Sequence, residues 1–382
     1  MRWYMLRIGA CFFASGCVSS VFAQIPDLLS FFEMGGRGAG MGGALYSNAT
    51  DVSASYWNPA GLRWIRQASG EFNFRNRPTT DTRLTGTFVN PDRDGRVGYG
   101  SEAFTFAGIA YPMKNGTLGF SFAVGGYARE FARNDGNLSS GDPGDPTFVD
   151  RQIELLRVVT EFYTLAWGTE RGSMGIGVGL VGARQAVSDR MLVRTIPGGT
   201  GDPVETSTDF SDSAVGFGGI VGIQYAPPDS NYSIGISYRT EIDLDTEGSM
   251  SLYTDKIPAR FQAGIVWRVD GLRGGEDFLI GGIDAAFFPK ANAGRVLSRD
   301  DQLTGGVGFE YNIAQPFGYI PVRFGYRGVE KAADGFSDRS VFTFGIGYRP
   351  HKEAYAMDLS FAVASGQRRP DVMLSMSFLI GG

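Results

Sequence analysis

After Gly70 the chain repeats one pattern: a run of about ten residues in strict alternation, a connection, then another alternating run. Leu118, Phe120, Phe122 and Val124 alternate with Gly119, Ser121, Ala123 and Gly125. Successive side chains of a strand point to opposite faces, so such a run has one apolar face and one small or polar face. Phe261, Ala263, Ile265 and Trp267 oppose Arg260, Gln262, Gly264 and Arg268 in the same way, and Phe342, Phe344, Ile346 and Tyr348 oppose Thr343, Gly345, Gly347 and Arg349. No stretch after Ala23 approaches the roughly 18 consecutive apolar residues of a transmembrane helix. If such a chain crosses a bilayer it does so with strands, and only as a closed sheet, because hydrocarbon cannot satisfy an open edge.

Alternation alone also fits a soluble sandwich or propeller with one wet face, so the connections must decide. Strands are expected at about Ser69 to Arg77, Ser101 to Pro112, Gly116 to Glu130, Gln152 to Glu170, Met174 to Ser188, Ser213 to Ala226 and Asn231 to Arg239. The second half adds Pro258 to Val269, Asp277 to Phe287, Gln302 to Ile313, Ile320 to Gly328, Ser340 to Arg349, Ala354 to Ala364 and Asp371 to Leu379, about 14 in all. Connections alternate between short (Met113 to Asn115, Arg171 to Ser173, Pro227 to Ser230) and long (Phe131 to Arg151, Asp189 to Asp212). Outer-membrane barrels sort their loops this way; a sandwich has no reason to, and a propeller needs a regular repeat of about forty residues that is not found here. The abundance of Gly (56), Phe (29) and Tyr (16) suits pleated strands with bare backbone on one face and aromatics on the other. The expected fold is an all-β, transmembrane, antiparallel β-barrel over residues 69–382.

Residues 1–23 read as a signal peptide: Arg2 and Arg7 are followed by an apolar stretch from Ile8 to Val18 and by Val21-Phe22-Ala23 at the cleavage positions. A lipoprotein reading through Cys17 would need a larger aliphatic residue where Ala14 stands. Cys11 and Cys17 both fall in this leader, so the mature chain is expected to have no disulfide, thiolate ligand or cysteine nucleophile. The single histidine, His351, sits in a Pro-marked turn, which disfavours Ser-His hydrolysis and a two-histidine metal site. No catalytic residue, metal or cofactor is therefore expected. Loss of Arg2 and Arg7 takes the formal charge from -5 to -7 (-5 minus 2), which argues against nucleic acid as a partner.

Gly38-Ala39-Gly40-Met41-Gly42-Gly43 has the spacing of a dinucleotide fingerprint but no strand-turn-helix context, so its glycines are read as backbone that turns tightly or passes close to a wall. Together with Asp51-Val52-Ser53-Ala54-Ser55-Tyr56-Trp57-Asn58-Pro59-Ala60-Gly61-Leu62 it resembles the N-terminal signature of the FadL-like outer-membrane transporters for long-chain fatty acids and aromatic hydrocarbons. It is equally similar to the PorV and PorQ group of the same superfamily. Weaker echoes, such as Pro321-Val322-Arg323-Phe324-Gly325-Tyr326-Arg327, carry the resemblance to nearly the whole mature chain.

The resemblance implies a 14-stranded barrel with residues 24–68 forming a hatch inside the lumen, Arg37, Gly38, Gly42, Gly43, Asp51, Asn58, Pro59, Ala60 and Gly61 being its motif residues. It also implies an inward kink of the third strand that opens a side passage toward the lipid, for which Gly125 and Gly126 are the candidates. Arg239, Arg260, Arg268, Asp284 and Glu310 fall on the expected inner face, as do Arg323, Arg327, Arg349 and Asp358. They would pair with one another and with the hatch, or hold a ligand carboxylate. The implied function is passive uptake of a hydrophobic small molecule, the partners being that ligand and outer-membrane lipids. The PorV-like alternative is a secretion-system component that binds exported proteins.

Overall fold

The computed structural model describes residues 34–84, 95–134, 138–139, 148–196, 202–332, 338–351, 354–365 and 370–380. The expected leader and the first ten residues of the expected hatch lie outside these. Fourteen strands form the barrel: β1 (Ser69–Leu84), β2 (Gly95–Met113), β3 (Gly116–Asn134), β4 (Phe148–Arg171), β5 (Met174–Ile196), β6 (Val204–Tyr225) and β7 (Tyr232–Arg239) in the first half. The second half comprises β8 (Arg260–Leu272), β9 (Asp277–Phe288), β10 (Gln302–Gln315), β11 (Gly318–Val329), β12 (Arg339–Pro350), β13 (Tyr355–Ala364) and β14 (Asp371–Leu379). Each pairs antiparallel with the next, and β1 pairs with β14 from Ser69↔Leu379 to Asn76↔Val372, which closes the sheet. Arg75 donates to Asp371 across this seam at 2.6 Å.

The alternation sorts the two faces as expected. Ile109, Tyr111, Phe120, Leu165, Val178, Leu180, Phe217, Phe324 and Phe342 are exposed on the outer surface, whereas Gly175, Gly177, Val181 and Ala183 of β5 are turned inward and covered. A closed sheet coated with this much exposed apolar area is built to span a bilayer, because the paired ladders satisfy the backbone groups of neighbouring strands.

The wall is uneven in height. β2 to β6 run for 19 to 24 residues each, β7 for 8. Much of what was expected to be loop between Asp189 and Asp212, and at the edges of 131–151, is strand: β5 and β6 stay paired out to Thr195↔Val204. Above Ser188 apolar and charged residues no longer alternate; hydrogen bonding between the two strands carries the pair on, and alternation cannot report such a segment.

A second departure lies between β2 and β3. They pair from Gly95↔Asn134 to Tyr99↔Glu130 and again from Phe106↔Ala123 to Met113↔Gly116. Among the described residues no pairing joins 100–105 to 124–129. Each strand bulges on its other side at this level: Thr105 is skipped in the pairing of β2 with β1, and Gly125 in that of β3 with β4. A bulge breaks the alternation of facing along its strand; Val124, paired with Glu161 in the outward row just before the bulge, is buried all the same. The two strands are thus unpaired with each other over about 20 Å at the usual rise per residue, a slit in the hydrogen-bond ladder of the wall.

Candidate functional site: the lumen and its N-terminal insert

Residues 34–65 are almost wholly buried and lie against inward-facing residues of strands around the barrel. The segment has little regular structure: helix α1 (Gly36–Gly40), a 3-10 turn at Tyr46–Asn48, helix α2 (Ala54–Trp57) and a 3-10 stretch at Pro59–Trp64. Gly42 and Gly43 have φ of 63° and 84°, a left-handed path that lets the chain reverse beside the wall. Asn58 is the junction. Its Oδ1 accepts from Ala60 N–H at 3.1 Å, capping the turn that Pro59 starts, and its Nδ2 donates to Ser47 O at 2.7 Å. Weaker bonds from the same nitrogen reach Ile223 O of β6 and Ile236 O of β7 at 3.2 and 3.3 Å.

The inward glycines of the strands are the counterpart of this insert. A Cβ on Gly222 would overlap the Asn58 side chain, one on Gly177 would overlap Pro59, and one on Gly306 or Gly308 would overlap the backbone of Gly42 or Met41. Ala60 is fully buried, Gly38 lies against the Tyr46 ring, and a side chain on Gly61 would strike Ala49 O. Asp51 accepts from Ser53 N–H at 3.1 Å and so turns the chain into α2.

One half of the insert is held by charge. Arg37 donates through Nε and Nη2 to the two oxygens of Glu310 at 2.9 and 2.8 Å. Glu310 also accepts from Arg323 Nε at 2.6 Å, Arg323 Nη1 donates to Asp358 at 2.7 Å, and Arg349 to Asp358 at 3.2 Å. The row Arg37, Glu310, Arg323, Asp358, Arg349 thus alternates in sign, and its buried members are compensated by charge-assisted bonds. Asp284 accepts from Ser47 N–H at 2.7 Å and from Gln262 at 2.8 Å. Arg327 donates to Thr304 at 3.3 Å. Arg268 shares the inward row of β8 but stands at its short-turn end, half exposed, paired with Asp270 and 3.9 Å over the Phe278 ring.

The other half is held by aromatic packing. Tyr46 and Trp57 stack at 3.9 Å, Tyr56 meets Trp57 edge-on at 4.8 Å, and Trp57 Nε1 donates to Met34 O at 3.0 Å. Arg260 lies over Tyr56 and Trp57 and donates to their carbonyls at 2.8 and 3.0 Å. Its Nε and Nη1 have no hydrogen-bond partner among the described residues. They border a cavity of about 20 Å³, also lined by Gln262, Asp284 and Arg327, with room for about one water. Phe162 of β4, fully buried, meets Tyr56 edge-on at 5.6 Å, and Arg239 covers its ring at 4.6 Å while donating to Pro258 O at 2.7 Å.

Phe162 and Phe106 are absent from the residues expected from sequence. The signal was there for Phe162: its inward neighbours on β4 are Thr160, Thr164 and Ala166, and one large ring on a face of small residues marks a special position. Gly125 and Gly126 stand at the β3 bulge, and a Cβ on Gly125 would overlap the Phe162 ring.

At the end of the barrel opposite the short turns, two connections interlock over the lumen. Leu297 N–H donates to Tyr253 O at 2.9 Å, and Asn292 Oδ1 accepts from the amides of Asp255 and Lys256 at 2.8 and 3.0 Å. Met250, Ile257 and Leu297 point into one apolar cluster with Leu156 and Val158 of β4. Burial beneath these connections pushes the Arg299 guanidinium down to about 10.

No family profile and no curated relative matches the chain. Solved structures do match along nearly its whole length. The Ralstonia pickettii toluene transporter TbuX aligns at 14% identity over 93% of this chain and 100% of its own, with a TM-score of 0.56. The Pseudomonas putida toluene transporter TodX aligns at 12% over 92% of this chain and 99% of its own, with a TM-score of 0.59. The CymD monoaromatic hydrocarbon channel aligns at 12% over 94% and 100%, with a TM-score of 0.53. At these identities the likeness is one of fold, and the fold is the one that the resemblance to FadL-like transporters implied.

Proposed function

We propose that this barrel, which shares its fold with the toluene transporters and hydrocarbon channel above, is exported by a cleaved signal peptide to a bacterial outer membrane and passively admits hydrophobic small molecules there. The observation that carries this reading is the slit between β2 and β3, edged by the buried Phe106, Ala123 and Val124 and backed by Phe162. An apolar solute in the lumen gains by moving into lipid and loses by moving into water, at about 25 cal/mol per Å² of its apolar surface. A side passage that begins at the apolar end formed by Phe106 and Ala123 therefore favours release into the bilayer over release through the short-turn end. Residues 34–65 act as the hatch that keeps the lumen closed to polar solutes, and outer-membrane lipids are the receiving phase. The two unsatisfied donors of Arg260 face a space with room for about one water beside Asp284, too small for a carboxylate head group, which favours neutral hydrocarbons over fatty acids as the substrate class.

The register on either side of the slit places residue 103 opposite residue 126. An Ala103→Cys, Gly126→Cys double variant, oxidised to span the slit, is expected to lose toluene uptake and to regain it on reduction. Uptake that is the same in the oxidised and reduced forms would contradict release through this wall.

The exported-protein reading rests on the β5–β6 hairpin, whose residues 202–209 are exposed on both faces beyond the lipid belt. Mass spectrometry of gently extracted barrel separates the two readings: a co-purifying lipid or hydrocarbon supports uptake, and a stoichiometric secreted protein with no small molecule supports the alternative.

A further inference from the structure

We infer that Phe162 is the selectivity gate of this side passage and that it sets the width of molecule that leaves the lumen. The inference rests on the reading of the slit as an exit. Ala123 of β3 pairs with Phe106 on one side and with Phe162 on the other, so the two rings flank a small residue in the row where the slit begins. All three are fully buried. Two residues further along, β3 bulges at Gly125, and the bare backbone there lies directly on Phe162: a Cβ at that position would overlap the ring.

Three neighbours from different parts of the molecule fix that ring. The bulge covers one part of it, Tyr56 of the insert meets it edge-on at 5.6 Å, and the Arg239 guanidinium lies over it at 4.6 Å. Arg239 in turn donates to Pro258 O, in the outer connection just before β8. The ring is therefore in touch with the slit, the insert and the outer cap at once. A shift of Tyr56, of the cap or of the bulge would remove one of these constraints on the ring. A rigid planar ring with two torsions gives a step-like barrier: a solute no thicker than the space it vacates passes, and a wider one does not.

The measurement is the ratio of naphthalene to toluene uptake into vesicles carrying the full-length barrel, for Phe162→Ala, Phe162→Leu and Gly125→Ala. Shortening the ring is expected to raise the ratio by about tenfold, the usual size of discrimination by apolar pockets, with Phe162→Leu in between. Gly125→Ala, which presses on the ring from the bulge, is expected to lower it, and this variant tests the gate even if the loss of Phe162 unfolds the barrel. An unchanged ratio in all three, with the cross-slit disulfide still abolishing uptake, would overturn the gate and leave the exit standing. Full uptake with that disulfide closed would overturn both.

Discussion

The two halves of the N-terminal insert are held by different physics. From Gly36 to Asn48 the segment is tied by directional, charged bonds: Arg37 to Glu310, Ser47 to Asp284, and Thr343 and Ser360 donating to Gly40 O and Gly36 O at 3.0 and 2.7 Å. From Ser53 to Ile65 it is tied mainly by shape, with aromatic rings and a Pro turn seated on strand glycines. A buried ion pair is costly to break because each charge left behind must be solvated, whereas close packing yields in smaller steps. The charged half therefore behaves as an anchor and the packed half, which carries Tyr56, as the part free to adjust next to the slit.

The comparison breaks most sharply at Glu310. Glu310→Ala strands Arg37 beside Arg323, which keeps only Asp358, and a loss of about 3–5 kcal/mol in stability is expected. Thermal unfolding in detergent would show it, and planar-bilayer recordings should show a raised conductance as α1 leaves the wall. Gly222→Val tests the packed half: the new side chain overlaps Asn58, and overpacking of this kind costs about 1–3 kcal/mol. Limited proteolysis should then cut the insert between residues 49 and 66 and leave the Arg37 end protected. Asn58→Ala removes a turn cap worth about 1 kcal/mol together with its ties to Ser47, β6 and β7. It is expected to raise conductance less than Glu310→Ala does, and a larger rise would reverse the ranking of anchor and adjustable half. Smallest is Arg66→Ala, which breaks an exposed pair with Glu170 and should change the melting temperature by less than the equivalent of about 1 kcal/mol.

Much of the fold was legible because a barrel wall repeats one local rule. Period-2 alternation located the strands, and the same parity put Arg239, Arg260, Asp284, Glu310, Arg323 and Asp358 on the buried face. What parity cannot supply is partnership. That Glu310 is shared by Arg37 and Arg323 depends on the register of β10 with β11 and on where α1 sits, the latter settled over hundreds of residues of sequence separation. Bulges were illegible for a related reason: the alternation runs on unbroken through Val124 and Gly125, and only the pairing with β4 shows that Gly125 is skipped. The upper parts of β5 and β6 read as loop because Met191-Leu192-Val193 among charged residues, and the mostly polar run from Glu205 to Asp212, do not alternate, although the backbone stays paired. The glycine-rich motif of 36–43 lies against the wall, and the wall's own glycines, Gly306 and Gly308, reveal their purpose only when the insert is in place.

The central claim, that hydrophobic molecules leave through the wall between β2 and β3, is tested most directly by photolabelling. The barrel, reconstituted in lipid nanodiscs, would be loaded with a small alkyl diazirine, irradiated and mapped by peptide mass spectrometry. Labels are expected on the peptides that carry Phe106, Ala123 and Phe162. Labels confined to the short turns near Ser173 and His351, with none at the slit, would mean that the ligand passes straight through the barrel and would contradict the claim.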